Sequence, residues 1–188
     1  MDVVWKALSR KCVFNCPIFS LNELSSRSPD GKQIGTFIVM ESSDWVIVIP
    51  CMGDDSFVMV RQWRHGSQQL SLEFPGGVCN KGEAPEQAAL RELKEETGYQ
   101  AKKITKLGMF NPNPAIQSNH VHIFLAEALE DTRRQTLDAD EFLNVETVPV
   151  DAVIHGMGKG ESLHALMGSA LLLYLRFKRE TAVGWNQA

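Results

Sequence analysis

The chain has 188 residues, 44% of them hydrophobic, which suits one domain with a substantial core, with or without a small appendage. Nineteen basic residues against 23 acidic ones give a formal charge of −4, which argues against nucleic acid as the main partner, because that function wants a basic surface. No apolar run approaches the roughly 20 residues of a membrane span, and the opening MDVVWKALSRKCV lacks a signal-type stretch, so a cytoplasmic protein without a membrane partner is expected.

Residues 11–42 read as short strands broken by polar turns, with KCVFNCPIFSLNEL and QIGTFIVMES flanking a Pro29-Asp30-Gly31 turn. On a single strand Cys12 and Cys16 would share a face but lie roughly 13 Å apart, too far for a disulfide. All four cysteines are therefore expected to be reduced thiols. WVIVIPCM and SFVMVRQWR form a second hairpin-like pair about Gly53-Asp54-Asp55, and LSLEF leads into Pro75-Gly76-Gly77. A helix is predicted from Pro85 to about Thr97, with Gly98 as its stop. Ala88, Ala89 and Leu93 make its apolar stripe, with Glu92, Glu95 and Glu96 largely off it. Strands follow near 104–109 and 120–129, then a polar loop over 130–141 and a strand over 143–148. VDAVIHGM and ESLHALMGSALLLYLRFKRE read as a short and a long terminal helix. Many strands with few helices, out of strict alternation, favour a mixed α/β sandwich.

The chemistry centres on RELKEETG, Arg91 to Gly98. Residues three and four apart are neighbours on a helix, so Glu92, Glu95 and Glu96 form one compact oxygen cluster. Three unneutralised carboxylates repel one another, and a hard divalent cation removes the conflict. Mg²⁺ prefers carboxylates, waters and substrate phosphate oxygens. The glycine-rich stretch PGGVCNKGE just upstream lets backbone approach a phosphate or metal closely. The combination points to metal-assisted phosphoryl transfer.

Gly77, five residues, Glu83, seven residues and then Arg91-Glu92-Leu93-Lys94-Glu95-Glu96-Thr97-Gly98-Tyr99 resembles the Nudix box at every fixed position. The resemblance implies an α/β/α sandwich with a mixed β-sheet. It also implies a hydrolase that uses Mg²⁺, or Mn²⁺ in its place, on a nucleoside diphosphate linked to another moiety. Carried onto this chain, it makes Glu92 and Glu96 the core metal ligands, Glu95 a ligand or a water-mediated partner, and the Gly76 carbonyl a completing ligand. Arg91 would orient the glutamates, and Glu83 would hold the loop against the helix.

RQWRHG, LEFPGG and Pro114, sixteen residues beyond Gly98, resemble the ADP-ribose pyrophosphatase group within that family. By that resemblance Arg64 contacts the diphosphate, Glu73 binds substrate or a metal, and Pro114 marks a substrate loop. Glu141 is the expected catalytic glutamate of the acidic loop, in competition with Asp140, Glu130 and Asp138. Phe37, with Trp5, Trp45 and Trp63, is a candidate for stacking on a base, while His120 and His122 are expected to be satisfied sheet residues. Gly76 replaces the group's usual alanine, a minor change because the carbonyl is the working part. Ala115 and Asn119 depart from the group's common glycine and glutamate, which bears on ADP-ribose itself rather than on the nucleoside diphosphate sugar class. Residues 1–43 are expected to form a β element that pairs or swaps between the subunits of a homodimer, and 44–188 the hydrolase domain. The alternatives are a triphosphate or dinucleoside polyphosphate hydrolase and a nucleotide-sensing module.

Overall fold

The computed structural model describes residues 3–53, 55–132 and 134–182, which fall into two compact units. Asp54, in the expected second turn, lies outside the described residues. The first unit contains residues 3–44 with Phe110–His120, and the second Trp45–Met109 with residues 121–182.

In the first unit, β1 (Lys6–Asn15), β2 (Ser20–Arg27) and β3 (Ile34–Glu41) form an antiparallel sheet in that order. The Pro29-Asp30-Gly31 turn forms as its residues dictate. The Ser28 hydroxyl donates to Asp30 Oδ1 at 2.6 Å, and Gly31 takes φ +75°, where a side chain would be strained. KCVFNCPIF is not one strand. β1 ends at Asn15 and the Cys16 N–H donates to the Phe19 carbonyl at 3.0 Å, so Cys16 lies in the turn. Every residue of β1 is exposed, and Leu8, Val13 and Phe14 are among the exposed apolar side chains. The 110–120 segment joins β3 through Met40, whose N–H donates to Ile116 O at 2.7 Å. Asn119 is buried and its amide donates to Ser43 O at 3.3 Å.

The second unit is built on a mixed sheet. Its strands are β4 (Trp45–Met52), β5 (Ser56–Arg64), β6 (Gln69–Glu73), β7 (Gly76–Val78), β8 (Tyr99–Phe110), β9 (Val121–Asp131) and β10 (Leu143–Pro149). The order is β10-β5-β4-β9-β8, with β6 on β5 and β7 on β4. β4 and β9 run parallel, whereas β4–β5, β5–β6, β4–β7 and β5–β10 are antiparallel. α1 (Pro85–Thr97), α2 (Val150–Gly156) and α3 (Ala165–Ala182) supply the helices.

The continuous apolar run of β4 follows from burial on both faces. Val46 and Val48 pack with Ala88, Ala89 and Leu93 of α1. The alternating Ile47 and Ile49 point the other way, and α3 also packs on β4 and β9. Phe57 anchors the α3 side, edge-on to Phe74 and to Tyr174 at centroid distances of 5.2 and 4.9 Å. α1 has the predicted bounds, with Pro85 at its start and Gly98 at φ +74° donating to Lys94 O. α3 starts four residues later than ESLHALM suggested, because residues 156–162 close turns of their own. Among the described residues no helix is long and apolar enough to cross a membrane.

Candidate active site

β7, the loop after it and α1 bring the glycine-rich turn against the glutamates. Arg91 organises them. Its Nε and Nη2 donate to the two oxygens of Glu83 at 2.9 and 3.0 Å, and Nη1 donates to Glu92 at 2.8 Å and Glu95 at 2.9 Å. Nη2 also reaches the Val78 carbonyl at 3.0 Å, tying the loop to the helix. The arginine pKa is raised, first by Glu83 and then by Glu95 and Glu92. Glu83 is held below the usual carboxylate range, chiefly by Arg91, and accepts from Asn80 N at 2.9 Å.

Glu92 and Glu96 are not on a solvated face, contrary to the expected separation from the apolar stripe. They are 8% and 3% exposed, because the row Ala88–Glu92–Glu96 runs along one side of α1 and β7 covers it. Burial pushes the Glu96 pKa up to about 8, helped by the charges of Glu92 and Glu141 and opposed by the Gly76 N–H, which donates at 2.9 Å. Burial likewise raises Glu92, with Glu95 and Glu141 adding to it and Arg91 opposing.

The two glycines have separate reasons. A Cβ on Gly77 would lie 2.3 Å from Glu92 Oε1, so the missing side chain leaves room for that carboxylate. A Cβ on Gly76 would lie 2.2 Å from the Val46 carbonyl oxygen. The replacement of alanine at 76 is therefore not minor here, since the β7–β4 approach depends on glycine.

Across the sheet, Arg64 at the end of β5 grips Glu73 at the end of β6 with a two-point fork, Nε–Oε1 2.8 Å and Nη2–Oε2 2.5 Å. Glu73 is 1% exposed, whereas the Arg64 side chain is 42% exposed. Burial works against the Glu73 charge, but Arg64 outweighs it and holds the carboxyl below its ordinary value. Arg64, Glu73, Gly76, Gly77, Trp45 and Trp63 all border one cavity of about 680 Å³.

The 132–142 loop brings in Glu141. Thr132 N donates to Gly98 O at 2.9 Å, Gln135 Nε2 to Glu96 O at 2.6 Å and Thr136 N to Glu95 O at 2.9 Å. These bonds occupy carbonyls that the end of α1 leaves unpaired. The charge of Glu141 acts on Glu92, Glu96 and Arg64, and its carboxylate accepts from Asp138 N at 3.1 Å. Glu92, Glu95, Glu96, Gly76, Arg64, Glu73 and Glu141 are thus all in the second unit, whereas Phe37 and Pro114 are in the first. Phe37 meets Trp5 edge-on at 5.3 Å. His120, expected in a strand, lies just before β9, where its backbone N–H donates to Asp44 Oδ1 at 2.8 Å, and His122 is buried in β9.

Among the described residues no three acidic, histidine or cysteine side chains stand gathered as a ready metal cage. The reason is Arg91, which draws Glu92 and Glu95 to itself. The donor chemistry still fits a hard divalent cation. It consists of carboxylate oxygens, two of them buried and raised in pKa, beside a glycine cradle.

Residues 43–166 match the family described as NUDIX domain. The chain belongs to the Nudix family. It is 34% identical to an ADP-ribose pyrophosphatase of Bacillus subtilis (strain 168), over 92% of this chain and 93% of that protein. It is 29% identical to a methanol dehydrogenase activator of Bacillus methanolicus, over 79% of this chain and 80% of that protein. The crystal structure of an ADP compounds hydrolase superposes with a TM-score of 0.82 at 23% identity, covering 96% of this chain and 98% of that one, which shows the Nudix fold. The chain is a Nudix hydrolase, of a family that typically uses a divalent metal. Sequence reasoning missed His164, which borders the same cavity from the start of α3. No motif marks it, and only its place in the fold brings it there.

Proposed function

We propose that this Nudix hydrolase cleaves the pyrophosphate bond of a nucleoside diphosphate sugar, ADP-ribose or a related compound, giving a nucleoside monophosphate and a sugar phosphate. The observation that carries the reading is the shared cavity. It has Arg64 on one side and the Gly76–Gly77 edge over Glu92 and Glu96 on the other. The B. subtilis ADP-ribose pyrophosphatase supports the substrate class.

Glu92 and Glu96, with Glu95 and the Gly76 carbonyl, would hold Mg²⁺, or Mn²⁺ in its place. When bound, such an ion polarises phosphate oxygens and favours ionisation of nearby water. Arg91 sets the orientation of the glutamates. Glu73 positions Arg64, whose remaining N–H donors are directed to the diphosphate. Glu141 accepts the proton of the attacking water, whose oxygen bonds to one phosphorus as the bridging P–O bond breaks. Residues 1–43 pair between subunits in a homodimer, for which the exposed apolar residues of β1 and β3 provide the surface. Phe37 and Pro114 are the substrate-binding candidates that belong to the first unit.

The test is incubation with ADP-ribose, GDP-mannose, UDP-glucose, a nucleoside triphosphate and a dinucleoside polyphosphate, each with Mg²⁺, and identification of products by mass. Oxygen-18 water labels the attacked phosphorus. Preferential turnover of the triphosphate or dinucleoside compound would replace the sugar reading, and binding without any turnover would indicate a sensor.

A further inference from the structure

The cavity beside Arg64 has a wall that the family motif does not cover. It comes from the end of the segment between α2 and α3, with Leu163 and His164, and from the first turn of α3, with Leu166 and Met167. This segment is firmly held. The Leu72 N–H donates to the Glu161 carbonyl at 3.0 Å, and the Glu161 carboxylate meets Arg61 Nε at 3.0 Å. Gly158 N donates to Ser162 O and Ser162 N to Lys159 O, closing the turns just before His164.

His164 immediately precedes α3 and caps it. Its ring Nδ1 accepts from the Leu166 N–H at 3.2 Å, and its carbonyl accepts from Met167 N at 3.0 Å. An imidazole nitrogen that accepts carries no proton, so in the ring held by this bond Nε2 is the N–H donor. Among the described residues Nε2–H has no hydrogen-bond partner. The cap therefore selects one tautomer, with Nε2–H as its donor, on a residue that borders the cavity.

We propose that His164 is a specificity-determining residue whose Nε2–H donates to a sugar hydroxyl of the substrate. The inference rests on the nucleoside diphosphate sugar reading above. A hydroxyl suits this place because it is neutral and tolerates the nearby Glu73 carboxylate. A phosphoryl oxygen is anionic, and Arg64 and the metal side of the cavity draw it away. The hydroxyl belongs either to the terminal sugar or to the nucleoside ribose.

The deciding variant is His164→Asn. Asparagine is among the best N-cap residues, so it keeps the cap, but it is too short to replace Nε2. For ADP-ribose with Mg²⁺ the expected result is a KM raised about three- to tenfold, the range for one neutral hydrogen bond, with kcat nearly unchanged. His164→Ala should show the same KM and, having lost the cap as well, a lower Tm. Product inhibition separates the sources. A weakened ribose 5-phosphate constant alone assigns the terminal sugar, and a weakened AMP constant alone assigns the nucleoside ribose. An equal weakening of inorganic pyrophosphate would mean a phosphate contact and overturn the hydroxyl assignment. If the native enzyme turns over ADP-ribose while His164→Asn leaves KM and all product constants unchanged, this proposal fails alone. If the native enzyme hydrolyses no nucleoside diphosphate sugar, the substrate reading fails and takes this proposal with it.

Discussion

Metal-free protein should lose stability as pH rises, and Glu96 sets the size of the effect. Its carboxyl moves from an ordinary value of 4.5 to about 8 in the fold, because burial and the charges of Glu92 and Glu141 disfavour ionisation. The native state thus binds the proton more tightly than the unfolded chain does. The associated stability is fully present below pH 4.5 and is lost as pH rises through about 8. At about 1.4 kcal/mol per pH unit within that window, raising the pH from 5 to 9 removes about 4 kcal/mol. For a chain of this length that is about 8–16 °C in Tm. Glu92, raised for the same primary reason, adds in the same direction. The assay is thermal unfolding in EDTA between pH 5 and 9, comparing the native chain with Glu96→Gln. The amide keeps the shape and an oxygen to accept from Gly76 N, but it does not ionise. The variant should lack most of the decline, and Mg²⁺ should restore stability to the native chain at pH 9 by binding the folded state. Equal slopes for the native chain and Glu96→Gln would refute the assignment of the buried charge.

Gly77→Ala should cost little stability, on the order of 1 kcal/mol, since its Cβ meets only the movable end of Glu92, yet turnover should fall roughly a hundredfold as that carboxylate is displaced. Gly76→Ala should do the reverse, costing ~1–3 kcal/mol in urea unfolding because the obstacle is the Val46 backbone carbonyl. Arg64→Ala strands the buried Glu73 and should destabilise by about 3 kcal/mol, the low end for a broken buried pair because Arg64 is partly exposed. Arg64→Ala,Glu73→Leu in one chain should recover much of that stability without recovering activity. Glu141→Gln should cut kcat roughly 10²–10³-fold at unchanged Tm, measured by single-turnover product release. A loss confined to KM would instead favour Asp138 or Asp140 as the proton acceptor.

The features legible in the sequence are those fixed locally. Proline at the start and glycine at the end bound α1 over Pro85–Thr97, and i,i+3 and i,i+4 spacing clusters Glu92, Glu95 and Glu96 wherever that helix packs. The Ser28–Gln33 turn is likewise written in its own side chains. Tertiary structure decided what depends on a distant neighbour. Ala88, Glu92 and Glu96 lie in one row, and whether that row meets water or β7 is settled by the pairing of Gly76 with Ile47, far away along the chain. The same pairing decides that Gly76 has no room for a Cβ, which would meet the Val46 carbonyl oxygen. The sequence marks Arg64 as a diphosphate contact, but its pairing with Glu73 appears only when β6 folds back on β5. His164 has no motif at all, and becomes part of the cavity only because Glu161 ties its segment to Arg61 and Leu72. Spacing along one helix is a short-range property, whereas desolvation of a charge is set by whatever chain is laid over it.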